Sequence, residues 1–303
     1  MENIKNADIK VHGLMLMAII LAASSFPVGA LITNALPPEL LMFFRFLLAA
    51  LLFAPFIFLK HGMVLPSKRA LLNYIILSIP LVVFFWCMFE SLRYTSVVNT
   101  GALYTTVPAI TAIFAFIINK DITGKLRTFG LALGTMGALW IVFRGDLDAL
   151  LRLDLNYGDL IFLVGCLSLG MYNPLVKRLH SGEPMEVMTF WILSAGSVWL
   201  LIVSVKGFMQ IDLLHIEQST YFGILYLSLF STLITFFVIN YSTVRIGATK
   251  VAAYGFLTPA IVIAISLLIG MEPFEWITVP GLLLIFAAMI VIQRESTKDK
   301  VVA

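Results

Sequence analysis

Solid apolar runs separated by short polar connections fill this chain, and their length predicts its architecture. A stretch of roughly 17 to 25 apolar residues crosses a hydrocarbon core of about 30 Å as an α-helix. Ten such stretches occur, at approximately 13–32, 40–59, 71–91, 97–118, 126–143, 158–178, 186–205, 220–240, 248–269 and 275–293. They are continuous instead of alternating, which favours helices over the ten-residue alternating strands of a membrane barrel. A helix also satisfies its own backbone hydrogen bonds in lipid. The longest connections, about 144–157 and 206–219, hold roughly a dozen residues each. That leaves no room for a soluble catalytic or nucleotide-binding domain.

The pattern is written twice. Pro108-Ala109-Ile110 returns 151 residues later as Pro259-Ala260-Ile261. Thirteen residues after each proline stands an acid, Asp121 or Glu272, and twenty-two after it a Gly-Leu-x-Leu beginning at Gly130 or Gly281. Five predicted spans separate the copies, an odd number, so the halves should lie upside down to one another. The expected fold is therefore an all-α integral membrane protein, with ten transmembrane helices as two inverted five-helix repeats. The repeats occupy 1–148 and 149–303 of one membrane domain.

Composition agrees: of 303 residues, 60% are hydrophobic and 12% charged, where a soluble domain carries about a quarter charged. Charge placement then gives orientation. Alternate segments, beginning with the N-terminus, collect Lys5, Lys10, Lys60, Lys68, Arg69, Lys120, Lys125, Arg127, Lys177, Arg178, Arg245, Lys250, Arg294, Lys298 and Lys300. The opposite set holds Arg93, Arg144, Arg152 and Lys206, so fifteen stand against four and both termini are expected in the cytoplasm. The first span, with Lys5 and Lys10 ahead of it, resembles a signal peptide in outline; cleavage there would leave nine helices. It is read here as a span. The net charge of +3 is accounted for by topology and points to no nucleic-acid partner. Cys87 and Cys166 both fall within spans, so no structural disulfide is expected.

Candidate chemistry is sparse. Arg45, in Phe43-Phe44-Arg45-Phe46-Leu47, puts a permanent cation in an apolar helix, a placement that costs roughly 2.5 to 3.5 kcal/mol on insertion scales. Two readings stand: a ligand for an anion on the transport path, or a side chain snorkelling to the surface six residues from the helix start at Glu39. Glu90 is the carboxylate nearest the body of a span; it is either a proton-coupling group or a helix-end partner of Arg93, three residues on. Pro27, Pro80, Pro108, Pro174 and Pro259 lie inside spans. All five are candidates for broken or kinked helices, which expose backbone groups at mid-membrane, and Pro27, Pro108, Pro174 and Pro259 are the hinge candidates among them. Near them fall Ser24, Ser25, Asn99, Tyr104, Tyr172, Asn173, Thr232 and Tyr254, and Ser228, Ser231 and Thr235 share a face of the eighth span. A cavity mixing these groups with Trp86 suits a small amphipathic solute, although Ser and Thr more often bond their own helix. The fifth and tenth spans are nearly free of polar residues, and Gly130-x-x-x-Gly134 marks the fifth as close-packed scaffold. His12, His61, His180 and His215 lie outside the spans or at their ends. No HExxH, GxSxG or P-loop is present, so no enzyme, metal site, cofactor or ATP motor is expected.

Gly247-Ala248-Thr249-Lys250, Leu257-Thr258-Pro259, Gly270-Met271-Glu272 and Gly281, preceded by Tyr241-x12-Tyr254, resemble the second-half pattern of the EamA family of the drug/metabolite transporter superfamily. Ser91-Leu92-Arg93-Tyr94-Thr95 and Val107-Pro108 show the first-half pattern more weakly. Two departures stand out: Lys120-Asp121 in place of the family's Gly-Glu, and Ala22-Ala23-Ser24-Ser25-Phe26 in place of its Trp-Gly-x-x-Phe. The resemblance implies a secondary transporter that moves small metabolites, amino-acid-like or other small amphipathic solutes, often outward, by alternating access across the inner or plasma membrane. It implies a site surrounded by the first, third, fourth, sixth, eighth and ninth spans and braced by the fifth and tenth. A proton-coupled or exchange-type importer of a vitamin, nucleoside or amine is the alternative. The expected partners are a small-molecule substrate and the lipid bilayer, with the protein a monomer or weak homodimer.

Overall fold

The computed structural model describes residues 2–62, 65–152, 155–210 and 216–298, and side chains over 10–62, 65–151, 155–209 and 216–292. His215 and Lys300 lie outside the described residues, as do the side chains of Lys5, Arg152, Arg294 and Lys298. Among the described residues there are helices and no strand.

The first span is α1 (Glu2–Ala23) followed, after a break at Ser24, by α2 (Ser25–Ile32). Next come α3 (Pro38–His61) and α4 (Lys68–Ser91). The fourth span is α5 (Val97–Leu103), a 3-10 turn at Tyr104–Thr106, and α6 (Val107–Asn119). Then follow α7 (Lys125–Val142), a short α8 (Leu147–Arg152) that the hydrophobic pattern does not announce, α9 (Tyr157–Leu179) and α10 (Met185–Gln210). The eighth span joins α11 (Gln218–Tyr226) to α12 (Thr235–Ile246) through a π-helical stretch, Leu227–Ile234. The ninth is α13 (Ala248–Ala253), a 3-10 turn at Tyr254–Leu257, and α14 (Thr258–Leu268); α15 (Val279–Lys298) closes the chain.

Eight of these units are long and apolar enough to cross a membrane. The expected fifth and tenth spans exist as helices but fall short of that measure. Lys125 and Arg127 dilute the 18 residues of α7, and the apolar part of the last helix is the shorter run Trp276–Ile292.

Chain ends of the helices follow their sequences. Ser67 accepts from Ala70 N at 3.2 Å to start α4, and Asn156 with Asp159 makes a reciprocal capping box at α9. At the end of α6 Lys120 takes a left-handed conformation, φ 59°, and the chain turns back so that Asp121 N donates to Ala115 O at 3.2 Å. Glycine is the usual residue there.

Glycine faces bring the backbones of α7 and α15 into close contact. A Cβ on Gly137 would stand 2.6 Å from Gly281 O, and one on Gly281 2.7 Å from Gly137 O. The fourth and ninth spans cross where each is broken: Gly255 lies under the Tyr104 ring and Gly101 against Val262. With 151 residues between copies, Tyr104–Thr106 maps onto 255–257, inside the 3-10 turn of the ninth span. The two proline segments therefore share a backbone break as well as residues. Pro174 and Pro80 differ from expectation, since α9 and α4 run through them without a break. Each removes one backbone bond, and the neighbouring helices hold the remainder in register. Pro55, also inside a helix, is a third proline of this kind.

Candidate functional site

At the level of these breaks the helices enclose a cavity of about 40 Å³. Its wall comes from the first span (Met15, Ile19, Ala22, Ser25, Phe26), the third (Phe84, Phe85, Met88), the fourth (Tyr104, Val107), the sixth (Leu169, Asn173), the eighth (Ser231, Thr235, Phe236, Ile239) and the ninth (Val251, Ala252, Gly255, Thr258). Both halves of the chain contribute. The wall is largely apolar and carries five aromatic rings: Tyr104 meets Phe26 edge-on at 5.7 Å between ring centroids and Phe84 at 6.0 Å. Among the described residues no Asp or Glu lines it.

Arg45 stands directly behind this wall. It is fully buried, so it does not snorkel. Its Nε donates to Thr232 Oγ1 at 2.5 Å, and its Nη2 to Ser231 O at 3.2 Å and Ser25 Oγ at 3.4 Å. The guanidinium carbon lies 4.1 Å from the centroid of the Phe85 ring. Nη1 has no hydrogen-bond partner, and among the described residues no carboxylate pairs with this cation.

The π-helical stretch explains how the eighth span meets it. A wider turn releases carbonyls from the usual ladder, and Thr235 Oγ1 donates five residues back, to Phe230 O at 2.9 Å. Ser231 can then offer its carbonyl to Arg45 while its hydroxyl donates to Leu21 O at 2.8 Å, across the break in the first span. Ser24, at that break, shares hydrogen bonds with Tyr226 OH at 2.9 Å and Ser231 Oγ at 3.4 Å.

Of the other sequence candidates, Ser25, Tyr104 and Asn173 line the cavity, and the Asn173 side-chain oxygen and Thr258 Oγ1 are buried there without partners. Ser24 and Thr232 join the cluster around Arg45. Tyr172 is turned away, donating to Asn240 Oδ1 at 2.9 Å, while Asn240 Nδ2 donates to Thr189 Oγ1 at 2.9 Å. Tyr254 hydrogen-bonds His12 beneath the cavity wall. Trp86, Asn99 and Glu90 lie farther off. Trp86 is 37% exposed on the outer face of α4, with Nε1 donating to Glu39. Asn99 lines a separate recess of about 290 Å³ with Arg144, Glu272 and Glu275. Glu90 pairs with Arg93 at 3.6 Å and accepts from Tyr94 OH at 3.1 Å.

The far end of the first span is fastened. Arg93 donates to Thr33 O at 2.9 Å and Leu36 O at 2.8 Å, and Thr33 Oγ1 donates to Phe89 O at 2.7 Å. Glu272 accepts from Val97 N at 2.9 Å, tying the end of the ninth span to the start of the fourth. Sequence reasoning missed Phe84, Phe85, Met88 and Phe236 as wall residues. Their only signal is position on helices that carry other polar or proline residues.

A helical cavity protein with broken, proline-bearing spans in both halves has a counterpart among known families. The model of the EamA-like transporter family matches residues 9–143 and again 156–294. The chain belongs to this family. It is a membrane transporter of the drug/metabolite transporter superfamily. Among its relatives, the uncharacterized transporter YyaM of Bacillus subtilis (strain 168) is 27% identical over 241 residues, covering 77% of this chain and 78% of that protein. An uncharacterized transporter of Archaeoglobus fulgidus is 26% identical over 252 residues, covering 82% and 86%. The uncharacterized inner membrane transporter YedA of Escherichia coli (strain K12) is 23% identical over 286 residues, covering 93% and 90%. A solved crystal structure superposes with a TM-score of 0.71 at 14% identity, covering 95% of this chain and 98% of its own; at that identity the likeness concerns the fold.

Proposed function

We propose that this protein is a secondary carrier that moves small amphipathic solutes, amino-acid-like metabolites among them, outward across the inner membrane by alternating access. The observation that carries the reading is the cavity itself: six spans drawn from both halves wall it, and three of them are interrupted at its level, at Ser24, Tyr104–Thr106 and Tyr254–Leu257. In this reading ten helices cross the bilayer as inverted repeats, 1–148 and 149–303, with both termini cytoplasmic. The double match of the family model and the equivalent breaks 151 residues apart support it. The inner-membrane placement follows the name of YedA.

Motion is assigned to the breaks. The half-helices that start near Pro27, Pro108 and Pro259 bend against the α7–α15 pair, whose glycine-to-glycine contact holds them as a brace. Ser25, Tyr104, Asn173 and Thr258 contact solute. Glu90, already engaged by Arg93 and Tyr94, has no part in coupling. Purified protein in liposomes preloaded with a candidate solute should show saturable, counterflow-stimulated uptake of the same labelled solute. Replacing Tyr104 with Ala should cut it while the protein stays folded. Flux that rises linearly with concentration and shows no counterflow is the behaviour of a channel and would remove the carrier.

A further inference from the structure

We infer that the cavity is built for a solute with one carboxylate on an apolar or aromatic body and no cationic group, the carboxylate being held by the field of Arg45 through Ser25. This narrows the solute class and rests on the cavity being the transport site and on its wall parting at the helix breaks to admit the solute, since about 40 Å³ holds only a few waters.

The argument begins with an imbalance. A guanidinium with no exposure, no carboxylate partner and an unpartnered Nη1 is an uncompensated buried cation. Buried charges of this kind are normally matched by an opposite charge, and none of the described side chains supplies it. Three groups that touch Arg45, namely Ser25, Ser231 and Phe85, also form the cavity wall. Because Arg45 Nη2 donates to Ser25 Oγ, the Ser25 hydroxyl proton is left to donate to whatever occupies the cavity. A carboxylate accepting it stands about 6 Å from the guanidinium, the sum of two hydrogen-bonded steps. At an effective dielectric near 20 that separation favours a monoanion over a neutral isostere by tenfold to about a hundredfold.

The rest of the wall sets the remaining limits. An ammonium would find no carboxylate among the wall residues and would face the same cation, so amines and zwitterions are disfavoured, the amino-acid-like members of the broader solute class included. A dianionic phosphate would need more than one positive charge, and among the described residues no Lys or Arg lines the wall beside Arg45. The rings of Phe26, Phe84, Phe85, Tyr104 and Phe236 match an apolar body. The unpartnered Asn173 oxygen and Thr258 hydroxyl offer it one further polar contact.

If Arg45 were only a strut between α3 and the eighth span, the cavity would show no charge preference. The test is binding, by thermal shift of the purified full chain in lipid nanodiscs. The probes form a series with one carbon skeleton: 3-phenylpropionate, 3-phenylpropanol, 3-phenylpropylamine and phenylalanine. The acid is expected to stabilise wild type at concentrations at least tenfold lower than the alcohol, with the amine and the amino acid weaker still. Arg45→Met should abolish that order and Arg45→Lys should keep part of it. The wild-type series decides the matter even if Arg45→Met does not fold. An equal or stronger response to the amine or amino acid, no response to any of the four, or an acid preference that survives in folded Arg45→Met overturns the inference. Counterflow measured separately keeps the two claims apart: the acid preference without transport removes the carrier, and transport with the opposite preference removes the anion site.

Discussion

Replacing Thr232 by Val should destabilise this protein more than removing the charge it serves. Thr232 Oγ1 accepts the shortest bond made by Arg45, 2.5 Å from Nε, in a setting where both side chains are fully buried. Val keeps the shape and deletes the acceptor. A hydrogen bond to a charged group contributes about 1.5 to 3 kcal/mol, and a donor left buried without a partner costs its full desolvation. With Nη1 already unpartnered, about 2 kcal/mol is the expected loss. Arg45→Met removes the same bond but also removes the charge, and an arginine at the centre of a membrane helix costs about 2.5 to 3.5 kcal/mol on insertion scales. The groups left behind are hydroxyls and one carbonyl, for which intrahelical partners exist and whose loss averages about 0.6 kcal/mol each. Arg45→Met alone is therefore expected within about 1 kcal/mol of wild type, and the double variant should match Arg45→Met instead of adding the two losses. Reversible unfolding in mixed micelles, with helicity as the probe, measures all three. A loss of 3 kcal/mol or more for Arg45→Met, or additivity in the double variant, would show that Arg45 is a structural pillar and refute this reasoning.

Other consequences are smaller. Lys120→Gly should stabilise by about 1 kcal/mol, because Lys120 sits at φ 59° where a side chain is strained, and chemical unfolding would read it. Gly137→Val should cost about 3 kcal/mol or more by driving a side chain into Gly281 O, whereas Gly13→Ala, with no atom within 4 Å of the new Cβ, should be neutral or gain up to about 1 kcal/mol in the same assay. Tyr172→Phe should lower stability by about 0.6 kcal/mol through the lost bond to Asn240 and leave the transport rate unchanged, since Tyr172 lies outside the wall. Glu90→Gln should leave the pH dependence of flux as it is in wild type; a flattened profile would return Glu90 to the coupling role.

Much of the architecture was legible because membrane helices declare themselves by length and apolarity. The limits of α4, α5 with α6, α9, and α13 with α14 fall within three residues of the sequence expectation. The eighth span, expected over 220–240, continues in α12 to Ile246, with Asn240 buried against Tyr172 and Thr189. The site was harder. Pro108 and Pro259 marked real breaks, but Pro174 did not, since a proline's effect depends on what packs around it. Serine spacing on the eighth span assumed a regular helix, and the π turn places Ser231 and Thr232 together at Arg45 in a way no 3.6-residue period gives. Trp86 failed for the simplest reason: an aromatic in a membrane helix faces lipid as readily as a cavity. Arg45 was visible as an anomaly at once, but its position one layer behind the wall required the packing of α3 against the eighth span.

The most direct test of a cavity that opens alternately to the two sides is a cysteine at its centre. Thr258→Cys places a thiol at a wall position that is 1% exposed and whose hydroxyl has no partner to lose, in a background with the buried Cys87 and Cys166 replaced by Ala. A membrane-impermeant thiol reagent applied to right-side-out and inside-out vesicles should label it from both sides, with a transported solute shifting the two rates in opposite directions. Labelling from one side alone, or both rates rising together, would contradict alternating access around this cavity.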